Sequence, residues 1–208
     1  NGYNISVVFT QPPQKSHRGQ KINKSPIQGI SETLNIDYRT PKTLKDNHEE
    51  YEFLKELNAD LAIVCAYGQI IPENFLNLTK KGFVNIHASI LPSWRGAAPI
   101  QRSIMNLDPE TGISIMKIKK ELDSGPVSNI YKIKIDQNQN AQEISEKLSA
   151  LAAEKILDNV DDILEDKAKF IDQDNSKATY AKKIDKEESR IDWDEDASKI
   201  IGKINGLF

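Results

Sequence analysis

Residues 61–88 read LAIVCAYGQIIPENFLNLTKKGFVNIHA, and the two apolar runs at the ends of this stretch decide the fold class. Residues 61–66 form an uninterrupted apolar run of strand length, the pattern of a central strand buried on both sides of a sheet. Across 83–88, Val84 and Ile86 alternate with Asn85 and His87, so one strand face is apolar and the other polar. Upstream, 5–9 is a further strand-like run. A Pro- and Lys-rich loop follows it, a short helix is expected near Pro26, and 49–57 reads as a helix with Tyr51, Leu54 and Leu57 on one face. Downstream, 97–107 favours a helix, 112–118 a strand and 127–135 a more exposed strand. The longest helical signal lies over 141–166, where Ile144, Leu148, Leu151, Ile156, Val160 and Ile163 recur at helical spacing. Asn140 and Glu143 there have the spacing of a capping box. Strands alternating with helices predict an α/β chain, Rossmann-like, with a mostly parallel twisted sheet and helices on both faces.

At 208 residues the chain is long enough to bury a sizeable core. Cys65 is its single cysteine, which excludes a disulfide framework and a cysteine zinc cage within the chain and fits a reducing compartment. Its place inside the apolar run predicts a buried small hydrophobe. No apolar run reaches membrane-spanning length and no export signal is present, so a cytoplasmic protein is expected. The net charge of −3 conceals an asymmetry: residues 1–107 carry 12 basic and 9 acidic side chains, residues 108–208 carry 16 and 22. No acid precedes Glu32, and Lys15, Arg18, Lys21 and Lys24 fall in that stretch, which leaves local positive potential for an anionic partner. Residue 1 is Asn and the first apolar run arrives unpreceded, so the chain is expected to begin mid-domain. The charged segment 165–199, with islands at Phe170, Tyr180 and 191–193, reads as a linker.

The chemistry concentrates in 84–101, VNIHASILPSWRGAAPIQ. Asn85 and His87 emerge together toward the C-terminal end of a strand, the edge where open α/β sheets bind ligands. A neutral amide and a protonated imidazole both donate hydrogen bonds to a developing oxyanion. A carboxylate is needed to hold the imidazole charged, and Asp123 is the candidate. It follows the strand at 112–118 and is expected at the same sheet edge. The alternative is that Asn85 and His87 are satisfied polar residues ending a strand. His17 and His48 read as surface residues, Ser89 lacks a nucleophile elbow, and neither a G-x-G-x-x-G nor a Walker pattern occurs.

Residues 85–104, NIHASILPSWRGAAPIQRSI, closely resemble the signature of the folate-dependent formyltransferases. The likeness runs along nearly the whole chain: VVFTQPP at 7–13, AYGQIIP at 66–72, ETGISIM at 110–116, LDSG at 122–125, TYAKKI at 179–184 and KEESRIDW at 186–193. The resemblance implies the formyltransferase fold. It also implies transfer of a formyl group from 10-formyltetrahydrofolate, without a metal, to the α-amino group of methionyl initiator tRNA in translation initiation. Asn85, His87 and Asp123 fall on the family's catalytic residues, and Ser89, Ile90, Leu91 and Pro92 on its folate-contacting loop. Lys15, Arg18, Lys21 and Lys24 fall on a loop that meets the tRNA acceptor stem. The same likeness implies a catalytic domain over 1–178 without its first strand and helix, and a linker over 179–208 toward an absent C-terminal β-barrel domain. It implies a monomer when complete, with no DNA or membrane partner. One local departure stands out: the family's Gly-Leu-Asp-Thr-Gly-Asp is here Glu121-Leu122-Asp123-Ser124-Gly125-Pro126, which alters the loop around the acid. Three rival readings stay open at this point. They are a formyltransferase for a small ribonucleotide or amino sugar, a formyltetrahydrofolate hydrolase, and a nucleic-acid-binding or scaffold module without catalysis.

Overall fold

Short strands alternate with helices in the computed structural model, which describes residues 2–16 and 21–208 and divides into two units, Asn1–Gly82 and Phe83–Phe208. The first unit contains β1 (Val8–Phe9), β2 (Gln14–Ser16), β3 (Lys21–Asn23), α1 (Pro26–Thr33), β4 (Tyr38–Arg39), α2 (His48–Leu57) and β5 (Ala62–Val64). β1 and β4 pair in parallel, and β2 and β3 form an antiparallel hairpin. Helix starts follow from local chemistry. Pro26 supplies a preset φ, and the Ser25 hydroxyl accepts the Gln28 N–H at 3.0 Å. Asn47 caps α2 by accepting the Glu50 N–H at 3.2 Å. Leu44, Leu54 and Phe75 form the buried centre of this unit, with Tyr51 edge-on to Phe75 at 5.5 Å. Glu50 is buried beside them. The cost of burying its carboxylate is offset by an ion pair to Arg39, whose guanidinium lies 4.4 Å over the Phe53 ring.

The run at 61–66 departs from expectation. Only Ala62–Val64 is strand, Ile63 is 47% exposed and Cys65 is exposed rather than buried. An apolar run is buried on both sides only where other layers cover both sides, and no residue of 61–66 joins the cluster around Leu54 and Phe75. The backbone turns at Ala66, with φ 46°, and it is Tyr67 and Ile71 that enter that cluster.

The second unit contains β6 (Phe83–His87), β7 (Arg95–Gly96), α3 (Pro99–Met105), β8 (Glu110–Lys117), β9 (Val127–Lys134), α4 (Ala141–Leu164), β10 (Tyr180–Ala181) and α5 (Ala197–Leu207). In the β6–β8 pair, Asn85 lies opposite Met116 and His87 opposite Ser114, while Ile86 lies opposite Ile115. Directly opposed residues share a face, so one face carries Asn85, His87 and Ser114 and the other carries Ile86, Ile113 and Ile115. The latter face is covered by α4 and α3: Ile86, Ile104, Ile113, Ile144, Leu148 and Ala152 belong to one buried cluster. The predicted capping box at Asn140 and Glu143 starts α4. Among the described residues no helix is long and apolar enough to cross a membrane.

The α/β, Rossmann-like reading holds, with a local difference in strand direction. β1–β4 and β7–β10 are parallel, but β6, β8 and β9 are antiparallel neighbours. The loop over 118–126 is too short for the crossover that a parallel β8–β9 pair needs, so the chain reverses there. The segment 179–208, expected as a linker, is built into this unit. β10 pairs with β7, Glu188 receives a forked pair from Arg102 at 2.6 and 2.9 Å, and α5 packs against α3. Gly206 permits that packing, since a Cβ there would lie 2.6 Å from Met105 Cγ and 3.0 Å from the Gln101 carbonyl oxygen.

Candidate active site

His87 ends β6 with its ring buried, and its two nitrogens face different partners. Nε2 lies 2.9 Å from the Trp94 carbonyl oxygen. A carbonyl only accepts, so Nε2 carries the hydrogen and Nδ1 is left as the reactive nitrogen. Nδ1 lies 3.7 Å from Asp123 Oδ2, within ion-pair range and beyond direct hydrogen-bond length. The same Oδ2 accepts the Gly96 backbone N–H at 2.9 Å. Trp94 and Asp123 flank the ring, and both take up the left-handed region, with φ 62° and 47°. Non-glycine residues hold that region only where their surroundings over-determine it, and such positions cluster at functional sites. For Trp94 the surroundings are hydrogen bonds from its N–H to Thr179 Oγ1 at 2.9 Å and from its indole to Asp108 at 2.7 Å.

Asn85 stands two residues before His87 on the same strand face, half-buried, and among the described residues its side-chain amide has no hydrogen-bond partner. A free amide on the same strand face as a buried histidine is a donor available to a ligand oxygen. The loop after β6 is fixed from beneath. The buried Ser114 hydroxyl donates to the Ser89 carbonyl at 2.6 Å and accepts the Leu91 N–H at 3.0 Å, and the Ser89 hydroxyl donates to the Ser93 carbonyl at 2.6 Å. Ser89 and Leu91 are therefore buried supports, whereas Ile90 and Pro92 are half-buried and present the loop's surface. Among the described residues no three of His, Cys, Asp and Glu gather as a metal site.

The expectation that Asp123 shares a sheet edge with His87 because their strands run the same way is overturned. β8 is antiparallel to β6, with Val84 opposite Lys117, so β8 ends beside the start of β6. Asp123 reaches His87 because the loop over 118–126 folds back from that end. Gly125 makes the return possible, since a Cβ there would fall 1.8 Å from the Lys117 carbonyl oxygen.

The model of the family described as formyl transferase matches residues 1–160. The chain belongs to the formyl transferase family. It is 66% identical to the methionyl-tRNA formyltransferase of Pelagibacter ubique over 99% of its own length and 66% of that protein's. It is 44% identical to the protein of the same name from Dictyoglomus turgidum over 98% of the chain and 65% of that protein. The chain thus spans just under two thirds of the length of these curated relatives. Among solved structures, a sugar 3N-formyl transferase determined in the presence of dTDP and 5-N-formyl-THF matches with a TM-score of 0.73 at 17% identity, over 99% of this chain and 80% of that one. That likeness speaks to the formyltransferase fold alone.

In this member of the formyl transferase family, the sequence-predicted residues meet unequally. Asn85, His87, Asp123 and the Ser89–Pro92 loop all lie in the second unit. Arg18, with the side chains of Lys15 and Lys21, lies outside the described residues, as does His17. Lys24 is described, and its ammonium pairs with Glu32 at 2.8 Å. Sequence reading missed Trp94, Gly96, Arg95 and Gln173. The first two act through backbone groups, which no side-chain pattern announces. Gln173 sits in a charged stretch with no motif around it.

Proposed function

We propose that the chain carries the active site that moves a formyl group from 10-formyltetrahydrofolate to the α-amino group of methionyl initiator tRNA. The observation that carries this reading is that Asn85, whose amide has no partner among the described residues, shares a face of β6 with His87, whose Nδ1 lies 3.7 Å from the Asp123 carboxylate. The names of the relatives at 66% and 44% identity support the acceptor, and the folate in the solved sugar formyl transferase supports the donor class.

The α-amine attacks the formyl carbon and a tetrahedral oxyanion forms. The Asn85 amide donates to that oxygen, and so does the imidazolium form of His87 through Nδ1–H, because Nε2–H is already committed to Trp94. Asp123 Oδ2 is held by the Gly96 N–H, so Oδ1 is the oxygen free to accept the proton that the amine loses. As the intermediate collapses, the bond from the formyl carbon to the folate nitrogen breaks and that nitrogen takes up a proton. The gap of 3.7 Å between Nδ1 and Oδ2 leaves the imidazole N–H available to the substrate oxygen rather than spent on Asp123. Ile90 and Pro92 face the donor, with Ser89 and Leu91 setting their backbone.

The test is formyl transfer by the full-length protein with labelled donor, offered charged initiator tRNA, a nucleotide-linked amino sugar, or no acceptor. Label in the methionyl-tRNA alone is expected. Label in the sugar, or free formate at the same rate without acceptor, would replace this reading with one of its rivals.

A further inference from the structure

Asp123 reaches His87 from a loop that doubles back, so its place depends on whatever holds that loop. The contact that does so comes from fifty residues downstream. Gln173 Nε2 donates to the Asp123 carbonyl oxygen at 2.9 Å and to the Gly125 carbonyl oxygen at 2.7 Å, spanning the turn whose φ at Asp123 is 47°. The orientation of this amide is fixed at its other end. Its Oε1 accepts from Arg95 Nε at 3.0 Å and from an Arg95 terminal nitrogen at 2.8 Å, and that nitrogen also donates to Asn175 Oδ1 at 2.8 Å. A guanidinium has no acceptor, so the amide cannot flip without losing both ends. Arg95 is itself 3% exposed, and its guanidinium donates to the amide oxygens of Gln173 and Asn175.

We propose that Gln173 is a positioning residue for Asp123, locked in orientation by Arg95, which holds the carboxylate where it can serve His87 and the substrate amine. The kinetic half of this inference rests on the proposed function, and the structural half does not. Gln173→Glu separates the two ends of the side chain. It preserves length and keeps an acceptor for Arg95, now as an ion pair, but presents no N–H to the carbonyls of Asp123 and Gly125. The Gly96 amide, which donates to the Asp123 carboxylate, reports the position of that carboxylate by hydrogen exchange.

In the full-length protein, Gln173→Glu is expected to speed exchange of the Gly96 amide by about tenfold or more while β8 amides keep the parent's rates. It should also lower kcat for formyl transfer by about tenfold or more, with KM for the folate donor within about twofold. Either the exchange rate or kcat within about twofold of the parent overturns the proposal. If Gln173→Glu fails to fold, Gln173→Asn, with the same amide one methylene shorter, is read by the same two measurements. A parent without formyl transfer would sink the proposed function and leave the exchange measurement to decide whether Gln173 holds Asp123.

Discussion

Gly96 connects the two halves of the site. Its N–H binds the Asp123 carboxylate, its φ is 122°, and a Cβ there would lie 2.7 Å from the Ala181 carbonyl oxygen on β10. Gly96→Ala is therefore expected to cost about 1–3 kcal/mol from backbone strain alone, with more from the contact, and to lower the melting temperature by several degrees. An unchanged thermal melt would mean that the β7–β10 pair gives way easily. Asn85 and His87 were legible in the sequence because the two-residue period of a strand puts them on one face without help from the rest of the fold. Asp123 was legible as a carboxylate in the loop after the strand at 112–118, within the family-like LDSG at 122–125. Strand order does not account for its position, because β8 runs antiparallel to β6; the fold-back at Gly125 and the grip of Gln173 do. Neither is visible in a linear reading, because one is a backbone approach and the other a contact across fifty residues.

Elements with a local signal formed where the sequence predicts them. α4 begins at its capping box, α1 begins at Pro26, and β6 keeps its alternation. α5 went unread because its aliphatic residues, Ile200, Ile201, Ile204 and Leu207, follow a charged stretch and are interrupted by Gly202 and Gly206. Glycine inside a helix normally weakens it, and here both are needed where α5 presses on α3. The turn Lys186–Ser189 just before α5 carries a pH-dependent tie. Hydrogen bonds from the Arg102 guanidinium, with a backbone N–H from Asp185, hold the Glu188 carboxyl down at about 2 from an ordinary 4.5. A depressed carboxylate contributes stability that is fully present above its unfolded value and is lost as pH falls through its folded one. The melting-temperature gap between the parent and Glu188→Gln should thus be widest near neutral pH and close between pH 4.5 and about 2. A gap of constant size across that window would mean that the Arg102 pair contributes through shape rather than charge.

At the scale of the whole molecule, an overall charge of −3 coexists with a basic segment before Glu32. Lys24 is already paired with Glu32, so under the proposed function Lys15, Arg18 and Lys21 are the side chains to test for phosphate contacts to a tRNA. Changing those three to Ala should flatten the dependence of log tRNA affinity on log salt by about two to three units, and Lys24→Ala should move it by less than about one. Equal slopes in parent and triple variant would remove this segment from the tRNA interface. Every part of the account converges on the proposed oxyanion donor, Asn85, whose amide has no partner among the described residues. The measurement that bears on it most directly is the single-turnover rate of formyl transfer to methionyl initiator tRNA by the full-length protein and its Asn85→Ala variant. The account predicts a fall on the order of a hundredfold or more, equivalent to ~2.7–4 kcal/mol, with melting temperature and folate affinity unchanged. A rate within about twofold of the parent would contradict it.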